Sequence, residues 1–155
     1  MEYDKKLVYK YEIYLDEREL SYSVDTESGV IKIPDCSISE QLGNGMIVIS
    51  SRESDFVIRF IFDYHVPNDV RDRVAELIAR INYTYVFGCF FMDYSDGEIG
   101  FQYSVDYEES ATSVRMLSNA VSFVVAPSQK WGDTIKLVAS KRITPAEGYN
   151  RIVSK

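Results

Sequence analysis

Hydrophobic and polar positions alternate with two different periods along this chain, and the switches between them outline the fold. From Phe56 to Tyr64 the period is two: Phe56, Ile58, Phe60, Phe62 and Tyr64 share one face, and Val57, Arg59, Ile61 and Asp63 the other. Met46–Ser50 reads as a companion strand, with SRESD as the hairpin connection. The period then lengthens. Val70, Val74, Leu77, Ile78 and Ile81 fall at i, i+4, i+7, i+8 and i+11, the apolar stripe of a helix that starts near Asn68. Asp69–Arg73 and Glu76–Arg80 fit i,i+4 ion pairs on its wet side, and Asn82 suits a left-handed cap.

A second hairpin follows, Phe87–Tyr94 and Ile99–Tyr107, joined at Ser95-Asp96-Gly97. Its second strand alternates with Ile99, Phe101, Tyr103, Val105 and Tyr107 inward. A helix is expected from about Ser110 to Val125, to be broken or kinked at Pro127, with the stripe resuming through Trp131, Ile135 and Val138. Thr144, Pro145 and Glu147 form the signature of a capping box at a last helix. Val30–Pro34 reads as a short strand and PDCSISEQLGNG as a loop. Tyr3–Leu20 fits a helical stripe (Tyr3, Leu7, Tyr11, Tyr14, Leu15) and strand alternation (Leu7, Tyr9, Tyr11, Ile13, Leu15) equally well; its length favours the helix. The order predicts one α+β domain over residues 1–155, an antiparallel sheet with helices packed on it.

Composition adds exclusions. The net charge of −7 disfavours a phosphate backbone as partner, so no nucleic acid is expected. Charge is uneven: residues 1–127 carry 11 Lys/Arg against 22 Asp/Glu, and residues 128–155 carry 6 against 2, a net +4 on the tail. That tail is either a solvated basic helix or one that docks on an acidic surface. Cys36 and Cys89 show no CxxC or Cys/His spacing, so neither a metal site nor a disulfide framework is expected. The opening MEYDKKLVYKYE lacks the apolar run of an export signal. No apolar run is long enough to span a membrane, and a cytoplasmic location is expected. The Asn82-Tyr83-Thr84 sequon carries no weight there.

Candidate chemistry is sparse. His65, the only histidine, sits in no nucleophile motif and reads as a loop residue. Asp93–Glu98 resembles a calcium loop only loosely: its Gly comes fifth, and no glutamate closes the loop at position 12. An Asp-Gly hairpin turn explains it better. Gly43-Asn44-Gly45 lacks the pattern of a phosphate cradle. Glu108-Glu109 suits the positive end of the following helix. Trp131 reads as a core anchor, and the basic residues Lys130, Lys136, Lys141 and Arg142 lack the interleaved aromatics of a single-strand binder. No enzyme, cofactor or metal is implied.

The best lead is the second face of the sheet. Simple alternation points Val57, Ile61, Phe90 and Met92 away from the Phe56/Phe60/Phe62 side, joined by either Ile47 and Ile49 or Met46 and Val48. The N-terminal helix could cover that face. A second subunit or a bound apolar segment could do so equally, since exposed patches of this size are rare on monomers.

The stretch VAELIARINYTYVFGCFFMDYSDGEIGFQYSV resembles the YbjN-like family: an amphipathic helix ending in Leu77–Asn82, a strand at Phe87–Met92, the Asp96-Gly97 turn and the alternating Ile99–Val105. SNAVSFVVAPSQKWGDTIKLV resembles the family's last long helix, and ITPAEGYNRI its tail. The tyrosine-rich first element departs from the family pattern. The resemblance implies a fold like that of type III secretion chaperones, and a homodimer, and it carries over no catalytic residue. The expected function is non-enzymatic binding of a polypeptide by a bacterial chaperone- or adaptor-like protein. The alternative is a small-ligand sensor with an aromatic pocket.

Overall fold

The structure is a computed structural model that describes residues 2–107 and 112–154. Its first element settles the ambiguity at the N-terminus. α1 spans Lys5–Asp16, and Asp4 caps it by accepting from the Lys6 and Leu7 N–H groups at 2.9 and 3.0 Å. Leu7, Val8, Tyr11, Tyr14 and Leu15 are buried, whereas Tyr9 is 64% exposed and Ile13 40%. Strand alternation would have buried those last two. The helix ends four residues early, with Glu19 in the left-handed region and the Leu20 N–H returning to Leu15 O.

Six antiparallel strands follow: β1 Ser23–Val24, β2 Ile31–Ser39, β3 Gly43–Ser51, β4 Asp55–His65, β5 Cys89–Met92 and β6 Glu98–Asp106, in the spatial order β1-β2-β3-β4-β6-β5. The segment expected as a loop after Pro34 is instead the far half of a hairpin. The β2–β3 register shifts between Ile33 and Cys36 and again between Ser37 and Ser39, with Asp35 at φ 56°. Each bulge inserts residues that spoil the period of two, which is why the pattern reads as loop.

α2, Arg71–Asn82, buries Val74, Leu77, Ile78 and Ile81 as its stripe predicts. Asn68 does not cap it. A 3-10 turn at Asn68–Val70 leads in, and the Asn68 side chain accepts instead from Arg71 at 3.0 Å. Glu76–Arg80 pairs at 2.8 Å as expected. Asp69 pairs with Lys141 at 2.9 Å, while Arg73 donates to the Ile143 carbonyl, so the expected Asp69–Arg73 pair is replaced by contacts to the C-terminal region.

α3 runs unbroken through Pro127, from Val114 to Ala139, with Ser113 as N-cap. Proline removes a single N–H, so only the Phe123 carbonyl loses its i+4 donor. The expected start at Ser110, and Glu108-Glu109, lie outside the described residues. α4, Pro145–Val153, has the full capping box: the Glu147 N–H donates to Thr144 Oγ1 at 3.2 Å, and the Thr144 N–H donates to Glu147 Oε2 at 2.7 Å.

α1, α2 and α3 pack on one face of the sheet, and α4 packs on α2 and α3. Tyr11 of α1 meets Phe56 edge-on at 5.7 Å between ring centroids. Trp131 of α3 is buried as expected, donates to the Tyr85 hydroxyl at 3.1 Å and stacks on Tyr149 of α4. Ile47, Ile49, Phe56, Ile58, Phe60 and Phe101 form the floor of this core, each at most 4% exposed. Among the described residues no helix covers the opposite face. α1 is therefore not its cover.

Candidate interaction surfaces

Strand register decides which side chains reach the open face. Ile61 pairs with Met46 on one side and Gly100 on the other, and Gly100 pairs with Phe91. Paired residues in a sheet share a face. Met46, Ile61, Gly100 and Phe91 therefore form one row across β3, β4, β6 and β5. A side chain at position 100 would collide with the Phe60 carbonyl and with the Phe91 ring, so glycine is required where that ring lies across the sheet. The next row is Val48, Arg59, Gln102 and Cys89, in which Arg59 Nε donates to Gln102 Oε1 at 3.3 Å. Val57 lies beyond it, between Ser50 and Ser104.

Val57 and Ile61 thus lie on the open face, both half-buried. Phe90 and Met92 do not. Phe90 pairs with Phe101 and Met92 with Ile99, both core positions, and Phe90 is 2% exposed, its ring centroid 4.9 Å from that of Phe101. The correction has a local cause. CFFM is apolar throughout, so its own pattern does not distinguish the faces. The turn does: Asp93 N–H donates to Glu98 O and the Gly97 N–H to Asp93 O, with Gly97 at φ 83°. That closure sets Met92 opposite Ile99, and Phe90 inward follows. Phe91 was the signal missed.

Both sheet edges are blunted. The outer side of β5 at Phe90 is taken by the Asn82 side chain, which accepts from the Phe90 N–H at 2.8 Å and donates to the Phe90 carbonyl at 3.0 Å. Asn82 is therefore not a left-handed cap; the helix ends at Tyr83 in right-handed geometry. At the other edge β1 covers only Ile31 and Lys32, and Pro34 and the Asp35 bulge interrupt the remainder of β2. These are the devices that discourage strand addition.

A second apolar surface lies on the helix side. Tyr85, Phe87, Phe123, Ala126, Pro127 and Lys130 line a hollow of about 230 Å³ that is open to solvent. Val86 beside it is 87% exposed and Phe87 59%. This is the aromatic concavity nearest to what a small-ligand sensor would need, but it is an open groove.

The remaining candidates resolve into structural roles. His65 ends β4 in an exposed position opposite Glu98, with Nδ1 3.3 Å from the Asp96 carbonyl, a turn contact. Asp93 Oδ1 accepts from the Ser95 N–H at 2.7 Å, and bonds to Ser95 hold this carboxyl below the usual range. Its carboxylate thus serves the turn. Among the described residues no cluster of three or more His, Cys, Asp or Glu side chains could hold a metal ion. Cys36 and Cys89 are both free, and burial pushes the Cys36 thiol up. The basic tail docks in part: beside the Lys141–Asp69 pair, Lys136 Nζ sits 4.0 Å from the Tyr64 ring centroid. No described helix is long and apolar enough to cross a membrane.

Known proteins share this architecture. The YbjN crystal structure from E. coli, described as a putative transcription regulator, superposes with a TM-score of 0.59 at 13% identity, covering 87% of this chain and 92% of that one. A chain of the ExsC–ExsE complex superposes with a TM-score of 0.61 at 14% identity, covering 84% and 94%. The fold is thus α+β and secretion-chaperone-like, as the resemblance implied. No curated protein matches the chain significantly. The family model for YbjN, "putative bacterial sensory transduction regulator", matches residues 12–135. That span runs from within α1 to near the end of α3 and takes in both candidate surfaces, and the chain belongs to the YbjN family.

Proposed function

We propose that this is a non-enzymatic, cytoplasmic, chaperone- or adaptor-like protein that binds another polypeptide and works as a homodimer. The observation that carries the reading is the open face: an apolar row across four strands, with no described helix over it, on a sheet whose edges are guarded. Strand addition is discouraged at the edges, so association falls to surfaces away from them, and this face is one. The fold shared with a chain solved as part of a two-protein complex supports a polypeptide partner. The family description, a regulator, supports a non-enzymatic role.

The open face of β4 is also self-complementary. Along the strand it presents Arg59, Ile61 and Asp63, a cation and an anion spaced equally about an apolar centre. A two-fold axis through Ile61 brings Arg59 of each copy to Asp63 of the other, as an isologous contact requires. Light scattering coupled to size-exclusion chromatography tests this. A dimer is expected, monomeric in Arg59→Asp and restored in the Arg59→Asp, Asp63→Arg double variant. A wild-type monomer at high micromolar concentration would refute the homodimer.

A further inference from the structure

The groove beside Phe87 is built differently from the open face. Its base is fixed: the Tyr85 hydroxyl accepts from Trp131, and the Tyr85 ring meets Phe101 edge-on at 5.3 Å. Its walls are exposed aromatics, Phe87 and Phe123, with centroids 6.0 Å apart, and Phe123 packs in turn on Tyr103 at 5.1 Å. Among the described residues, Lys130 is the only charged one in the lining. On a chain with 24 acidic residues, no described carboxylate lines it. Lys130 also opens the stretch 128–155, whose six basic residues against two acidic ones oppose the sign of the rest of the chain.

Size and continuity argue for a peptide. The hollow of about 230 Å³ suits one bulky side chain, and the adjoining one of about 350 Å³ leaves room for a chain to continue. Phe87 also lines a second hollow, with Gly88, Cys89, Gln102 and Ser104, that leads over the sheet edge toward the open face. A ligand anchored at the groove can continue along that path only if it is an extended chain.

We propose that this groove docks one apolar side chain of an extended peptide segment that carries carboxylates next to that anchor. The proposal rests on the polypeptide-binding reading and adds the chemistry of the partner. Lys130 meets the carboxylates, and Phe87 and Phe123, packed on each other, form the aromatic wall against which the anchor lies.

The test uses the whole chain and three fluorescein-labelled peptides that share a Leu-Phe core and differ in flanks of Glu, Gln or Lys. Fluorescence anisotropy should show saturable binding in the order Glu, Gln, Lys. Lys130→Glu should weaken the Glu peptide by about tenfold and reverse the order. Phe87→Ala should weaken all three peptides, and its exposed site leaves the core intact. Amide shifts on binding should fall on Phe87, Phe123 and Lys130. Affinity that ignores flank charge, unchanged binding to Lys130→Glu, or no saturable binding would overturn the proposal. Shifts on Met46, Ile61 and Phe91, abolished by Ile61→Asp, would overturn the groove while leaving the polypeptide-binding reading in place. Conversion of a dimer to a monomer by Phe87→Ala would show a second copy to be the occupant and would overturn it as well.

Discussion

The side chain of Asn82 pairs with the backbone of Phe90 as a neighbouring strand would, accepting from its N–H at 2.8 Å and donating to its carbonyl at 3.0 Å. One amide at the end of α2 thereby fixes the height of β5 against the helix and occupies an edge of the sheet. The effect travels inward, because the Phe90 side chain is part of the core. Asn82→Ala leaves both backbone groups to find water in a half-buried site. A loss of about 1–3 kcal/mol in urea unfolding is expected. Asn82→Asp keeps the acceptor and loses the donor, so it should fall between the two. Equal stability of Asn82→Ala and the parent would show the pairing to be idle.

The two neighbours Phe90 and Phe91 should answer differently to the same change. Phe90→Asp puts a carboxylate among Phe62 and Phe101 and should unfold the protein. Phe91→Asp and Ile61→Asp place the charge on the open face and should leave the circular dichroism spectrum native, at a cost of about 1 kcal/mol or less. Their effect belongs in self-association, read as apparent mass against concentration. Unfolding by Ile61→Asp would assign that position to the core and remove it from the interface.

How legible this was in the sequence depended on whether the pattern carried the deciding information. The stripe Val70–Ile81, the capping box at Thr144 and the Asp-Gly turn were each local, and each formed. The α+β layering followed from their order. The two bulges in β2 were not legible, because they break the period by which strands are recognised. The apolar pattern alone hid the continuity of α3, because Pro127 removes one hydrogen bond and crowds the carbonyl four residues back, while the resemblance to one long helix implied it. On the candidate surface, Val57 and Ile61 fell correctly to the open face because β4 alternates cleanly. Phe90 and Met92 were misplaced because four consecutive apolar residues do not mark their own orientation. Counting across the turn from Phe101 would have corrected both. The groove needed tertiary structure, since its two walls come from residues 85–87 and 122–130.

Acid should loosen α4 first at its N-terminus. The Glu147 carboxylate is held below its ordinary value of 4.5 by hydrogen bonds from Thr144, backbone first. A lowered folded value means that the capping contribution is fully present above about pH 4.5 and is lost as pH falls through the lower value. Tyr149 of the same helix stacks on Trp131, the only tryptophan, at 6.1 Å and 11° between ring planes. Tryptophan emission should therefore shift below pH 4.5, ahead of global unfolding. Glu147→Gln should give an emission curve flat over that step. A step that persists in Glu147→Gln would assign it to another carboxylate.

Tyr11 is the place where the fold carries a cost that a single substitution can remove. Its ring is buried, edge-on to Phe56 and Tyr14, and its hydroxyl has no hydrogen-bond partner among the described residues. Burial first, and then Tyr14 and Tyr103, push the phenol far above its ordinary value, so the group is neutral at any working pH. Removing the hydroxyl thus changes no charge and abandons no hydrogen bond to a described residue. An unmet buried donor costs about 1–3 kcal/mol, whereas the ring contacts that seat α1 on the sheet survive in phenylalanine. Tyr11→Phe should raise stability by about 1 kcal/mol and shift the urea midpoint upward with an unchanged slope. The unchanged slope matters, because a gain through a more compact unfolded chain would alter it. A loss of stability instead would mean that the hydroxyl is met by a buried water, and that α1 is held to the sheet by a polar contact as well as by its rings.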